Sequence, residues 1–158
     1  MRQTQESDEE EFEIHDYKSD KEDVLLNTHD QINQGLSGEI VVMEVGYVEV
    51  LLTTLPEMLA DNVGLVHGGF IFSAADYAAM AAVNERNVVL VASDCQFLSP
   101  VKIHDEVLFK ARVRHKEGRK RNVHVEGYVH DIKVFEGEFK TVITEKHVLR
   151  LHLLEEEK

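Results

Sequence analysis

The stretch His67-Gly68-Gly69-Phe70-Ile71-Phe72-Ser73-Ala74-Ala75-Asp76-Tyr77-Ala78-Ala79-Met80-Ala81-Ala82 decides how this chain folds. Its alanines are strong helix formers and predict a helix that runs to about Asn84 or Glu85. Almost no polar face is left, and a helix that is small or apolar nearly all round is a buried one, able to lie close to a sheet. Two glycines stand at its start, where unpaired N–H groups can hold an oxyanion. One carboxylate, Asp76, sits inside it where little else ionises.

Around this helix the sequence reads as strands. Residues 39–45 and 47–54 are rich in β-branched side chains, with Gly46 marking a turn or bulge between them. Residues 55–62 read as a turn-rich link. Four strand-like segments follow the helix, at 88–98, 106–116, 122–134 and 138–149, with short turns expected at 117–120 and 133–137. In the second, Val107, Phe109, Ala111 and Val113 alternate with Leu108, Lys110, Arg112 and Arg114, the period of a half-buried strand. A thin apolar stripe of Val24, Leu25, Thr28 and Ile32 suggests a helix over 23–34. The expected class is α+β, a curved antiparallel β-sheet wrapped around one long central helix. Such a sheet leaves edges open, and pairing across a two-fold axis would hide one.

Composition bounds the rest. The 158 residues suit one domain, expected over 24–154, between an acidic tail at 1–23 and an acidic end at 155–158. Those ends carry −9 of the net charge of −13, and so polar a tail is expected to stay solvated. One cysteine, Cys95, excludes an intrachain disulfide and points to a reducing, cytoplasmic setting, and no stretch is apolar enough for a membrane span. Seven of the seventeen basic residues fall between Lys110 and Arg121. On the strand they read as a solvent face, whereas Arg119, Lys120 and Arg121 in the turn are equally suited to phosphate groups.

The run Asn62-Val63-Gly64-Leu65-Val66-His67-Gly68-Gly69, then Asp76, then Phe97-Leu98-Ser99-Pro100-Val101 and Gly118-Arg119, resembles the hotdog-fold acyl-CoA thioesterases, most nearly the phenylacetate-pathway branch. The resemblance covers roughly residues 36–148. It implies a hotdog fold and hydrolysis of a fatty or aromatic acyl-CoA, without a metal or a cofactor beyond the coenzyme A of the substrate. It also implies a homodimer with sites shared between subunits; a tetramer is left open. By the same resemblance Asp76 is the catalytic carboxylate, Gly68 gives the backbone N–H that polarises the thioester carbonyl, and Gly69 adjoins it. Asn62 helps arrange the site from the other subunit, although its spacing to His67 is one residue short of the pattern. Ser93, like a Ser or Thr in some relatives, is a candidate for orienting water.

The residues support this chemistry on their own terms. A glycine lets the ligand approach closely, and a preorganised N–H on the developing oxyanion contributes about 3 kcal/mol to transition-state stabilisation. Asp76 shares a helix face with Gly69, Phe72, Ser73 and Met80, so desolvation should raise its pKa toward that of a general base. The competing reading of Asp76 is a structural hydrogen bond to buried backbone or a partner chain. His67 is equally well read as turn support or ligand contact, and Ser73 as ligand-facing. Phe70, Phe72, Met80 and Phe97 read as core or as the lining of an acyl tunnel. Among the other histidines no HxxxH or carboxylate-paired spacing is evident, so no metal is expected. The alternative function is a non-catalytic acyl-CoA binder or sensor, with no nucleic acid or membrane as partner. A dehydratase is third, lacking a recognisable His and Glu pair.

Overall fold

The computed structural model describes residues 23–151. The acidic tail up to residue 22 and the acidic end at 155–158 lie outside the described residues. The elements are α1 (Gln34–Ser37), β1 (Glu39–Glu44), β2 (Tyr47–Thr53), a 3-10 turn (Pro56–Met58), α2 (Gly68–Val83), β3 (Val88–Phe97), β4 (Glu106–Glu117), β5 (Lys120–Val129), β6 (Ile132–Ile143) and a second 3-10 turn (Val148–Arg150). The six strands form one antiparallel sheet in the order β1-β2-β4-β5-β6-β3. The expected α+β wrap is what forms: α2 packs against strands across the whole sheet. Its Ala74, Ala75, Ala78, Ala79 and Ala81 are fully buried, and Phe109, Phe135 and Phe139 fill the space beneath them.

The expected N-terminal helix over 23–34 is corrected. Residues 23–33 run extended and turned, and only Gln34–Ser37 is helical. The segment has a turn of its own, closed by Ile32 N–H to His29 O, and is tied to the end of α2. Asn84, left-handed at the C-cap, accepts from Asn27 N–H at 2.7 Å and donates its side-chain amide to Leu25 O at 2.8 Å.

The boundary between the last two strands is corrected as well. The turn expected at 133–137 falls at His130 and Asp131, with His130 at φ 52°, so β5 ends and β6 begins several residues earlier than expected. Gly137 suggested the turn, yet it lies inside β6 opposite Cys95 of β3, where an added Cβ would come within 2.7 Å of the Cys95 Cβ. That glycine serves close strand packing.

β3 is a sheet edge and is poorly covered. Val91 is 60% exposed and Phe97 53%, which overturns the reading of Phe97 as core; Met80, by contrast, is fully within it.

Candidate functional site

The chain enters α2 through a loop fixed at several points. Asp61 Oδ1 accepts from the N–H groups of Val63, Gly64 and Leu65 at 2.9 to 3.1 Å, and these bonds hold its carboxyl below the usual carboxylate range. Downstream, Val66 N–H donates to Val101 O at 2.9 Å and His67 N–H to Met58 O at 2.8 Å. The HGG segment is thus pinned between the 3-10 turn and the chain that leaves β3. Asp61 was not singled out from the sequence, although an Asp three residues before a glycine is a turn signal. Its neighbour Asn62 is exposed on the same loop.

His67 is the N-cap residue of α2 but makes no side-chain cap; its exposed ring lies edge-on to Phe70 at 6.2 Å. Gly68 and Gly69 are the first two helical residues, whose N–H groups have no acceptor within the helix. A Cβ on Gly69 would stand 3.1 Å from the His67 ring, and one on Gly68 3.5 Å from Phe97. A cavity of about 250 Å³ opens beside Gly68, lined mainly by Leu65, Val66, Ile71, Phe97 and Val101. Its walls are apolar, and Phe97 closes it from the edge strand.

Asp76 lies two turns further along. Burial pushes its carboxyl up to about 6, and Oδ1 is buried with no hydrogen-bond partner among the described residues. An unsatisfied buried carboxylate oxygen is costly unless something arrives to meet it. Phe72, one turn earlier on the same face, packs on Phe139, whose register partner on the edge strand is Ser93. The stripe shared by Phe72 and Asp76 therefore starts on the β6 side of the sheet, one strand in from the β3 edge.

The other candidates are more dispersed. Ser73 is occupied internally, its hydroxyl 2.8 Å from that of Ser37, which ties α2 to α1. Arg119 pairs with Glu145 at 2.7 Å, and Arg121 donates to the carbonyls of Gly118 and Lys120, while Lys120 is exposed. Bonds from Ile143 N–H to Arg119 O and from Thr144 N–H to Asn87 O place this basic turn near the C-terminal end of α2. The HGG segment is at the other end. The reading that no histidine has a carboxylate-paired spacing is corrected: His124 and Glu126, two residues apart on β5, share a face and lie 3.0 Å apart, and register across β5 and β6 adds Glu138 opposite His124 and Glu136 opposite Glu126, away from the helix.

Comparison with known proteins fits this architecture. Residues 63–136 match the family model described as the thioesterase superfamily. Acyl-coenzyme A thioesterase PaaI of Escherichia coli is 33% identical over 116 residues, which cover 72% of this chain and 77% of that protein. The uncharacterised protein PH1136 of Pyrococcus horikoshii superposes with a TM-score of 0.80 at 43% identity, over 82% of this chain and 99% of that one. Two further relatives are matched over less of their length. A protein of Aquifex aeolicus called methylthioribose-1-phosphate isomerase is 57% identical over 117 residues, 74% of this chain but 26% of its own. Transcription factor FapR of Thermoanaerobacter pseudethanolicus is 27% identical over 72% of this chain and 57% of its own. The chain belongs to the thioesterase superfamily and has its hotdog fold.

Proposed function

We propose that the protein is an acyl-CoA thioester hydrolase whose active site joins two copies of the chain. The observation that carries this reading is Asp76: a carboxyl raised to about 6 with a buried oxygen that has no partner among the described residues, on a helix face with no other ionisable side chain. A general base for neutral pH needs such a pKa. The relationship to E. coli PaaI supports the substrate class.

In this reading the exposed β3 edges of two chains pair antiparallel about a two-fold axis. The helix start of one chain then lies at the same end as the basic turn of the other, because HGG and residues 119–121 occupy opposite ends of α2. The thioester carbonyl oxygen accepts from Gly68 N–H, with Gly69 leaving room for the ligand. Asp76 of the partner subunit takes a proton from water, and the hydroxide formed adds to the carbonyl carbon. The oxyanion is held by the helix N-terminus. Collapse breaks the C–S bond, and the proton held by Asp76 goes to the departing thiolate, giving a free acid and coenzyme A. His67 and Asn62 shape the helix entry, Ser93 faces the water from the edge strand, and Arg119, Lys120 and Arg121 meet the phosphates. Ser73, engaged with Ser37, acts by positioning α2.

A second reading, a non-catalytic acyl-CoA sensor, is favoured by the relationship to FapR. Thiol release from short, aromatic and long-chain acyl-CoAs separates the two. Hydrolysis by the native protein that is lost in Asp76→Ala and Asp76→Asn supports the enzyme. Tight binding without release above those variants supports the sensor.

A further inference from the structure

On the face of the sheet turned away from α2, His124 is about nine-tenths buried and ringed by carboxylates. Its Nε2 lies 3.0 Å from Glu126 Oε1 and 3.3 Å from Glu136 Oε1, and its Nδ1 is hydrogen-bonded to Glu138. Glu126 and Glu136 stand directly opposite each other on antiparallel strands, and Lys133 offsets their repulsion only at the outer oxygens, leaving both Oε1 atoms directed at His124. A single Nε2–H can point well at one of these oxygens but not at both.

We propose that His124, Glu126 and Glu136 form a site for a divalent transition-metal cation of the zinc class. The donor atoms are one imidazole nitrogen and two carboxylate oxygens, all within 4.8 Å of one another. Ligands bound at about 2.1 Å lie roughly 3.0 to 3.4 Å apart in octahedral to tetrahedral geometry, and the two spacings around Nε2 fall in that interval. The surrounding shell is built for the same purpose. With Glu138 accepting from Nδ1–H, Nε2 would offer its lone pair on the side where the Oε1 atoms of Glu126 and Glu136 lie, the usual arrangement of a metal-bound histidine. The outer carboxylate oxygens are held elsewhere: the Tyr128 hydroxyl donates to Glu126 Oε2, and Lys133 Nζ lies 3.8 Å from that oxygen and 3.6 Å from Glu136 Oε2. Each Oε1 is thereby turned inward. The ion would clamp β5 to β6 on the outer face, remote from Asp76, as a structural element with solvent in its remaining positions.

Chelator-treated full-length protein, titrated with Zn²⁺ by calorimetry and with Co²⁺ by visible absorbance, tests this. The expected result is one saturable site per chain, with Co²⁺ bands of low-coordinate N/O ligation and a Tm that rises with added Zn²⁺. Glu136→Gln, a conservative change at a half-buried position, should weaken binding at least about tenfold, and Glu138→Gln by about ten- to a hundredfold. His124→Ala should abolish the site; should it fail to fold, Glu136→Gln decides. Absence of saturable binding to the native protein overturns the proposal, leaving a hydrogen-bonded cluster of one histidine and three glutamates. So does binding of unchanged strength in Glu136→Gln.

Discussion

Gly68 and Asp76 stand eight residues apart on α2, about 12 Å from each other along the helix axis. A single thioester carbonyl cannot reach the N–H of one and a water held by the other within the same chain. If both groups act, they act from different subunits. Gly68→Pro removes the N–H without breaking the helix start, because proline fits the first helical position, His67 before it already has the extended backbone that proline requires, and the added Cβ would meet Phe97 at an ordinary 3.5 Å. Gly68→Pro and Asp76→Asn should each lower kcat by about 10² or more. Co-refolding the two inactive variants in equal amounts should restore about a quarter of native activity, since half the dimers are mixed and each mixed dimer has one intact site. No recovery would mean that Gly68 and Asp76 do not serve one shared site, and would overturn the two-subunit assignment.

Asp76 also links catalysis to stability. Burial raises its folded-state pKa to about 6, above the ordinary carboxyl value of 3.8, so the folded chain holds this proton more tightly than the unfolded one. The resulting stabilisation is fully present below about pH 4 and is lost as pH rises through 6. The raised pKa corresponds to about 3 kcal/mol at most. Asp76→Asn should therefore be more resistant to urea than the native chain at pH 8, with the gap closing toward pH 4. The native kcat/KM should climb with pH and level off above about 6. A similar climb in the residual activity of Asp76→Asn would remove Asp76 as the base.

Gly137 separates what the sequence disclosed from what it concealed. The alanine run, the alternation in β4 and the HGG start are local patterns, and each produced the element it announced. Gly137 resembled a turn because a glycine between polar residues does, whereas its actual cause is Cys95 on a strand about forty residues away. The extended segment before α1 was likewise decided by Asn84, through bonds that no local periodicity encodes. The same holds for the site. Asp76 and Gly68 were legible as chemistry, but the bond between Ser73 and Ser37 and the gathering of carboxylates around His124 arise from tertiary packing and strand register.

Gly137→Ala follows directly. The new methyl would overlap Cys95 Cβ at 2.7 Å and approach Cys95 Cα at 3.2 Å, neither of which can swing away. Overpacking of this kind costs about 1–3 kcal/mol, so the urea midpoint should fall with the slope unchanged. The double variant Gly137→Ala, Cys95→Gly should recover most of the loss. If the single variant is as stable as the native chain, β3 is not held against β6 this closely.

Arg119 is the basic residue whose present partner opposes its proposed role. It is exposed and paired with Glu145 at 2.7 Å, and so exposed a pair contributes little to stability. Glu145→Gln should leave the melting temperature nearly unchanged while freeing the guanidinium for a phosphate. KM for acyl-CoA should then fall, and more at low salt than at high salt, because the attraction is screened over about 10 Å at 0.1 M ionic strength. Neutralising Arg119, Lys120 and Arg121 together should raise KM in the same salt-dependent way and leave kcat almost untouched, since these side chains would hold the phosphates equally in the ground and transition states. A change in kcat without a change in KM would place the turn near the reacting bond, and no change in either would exclude it from the site.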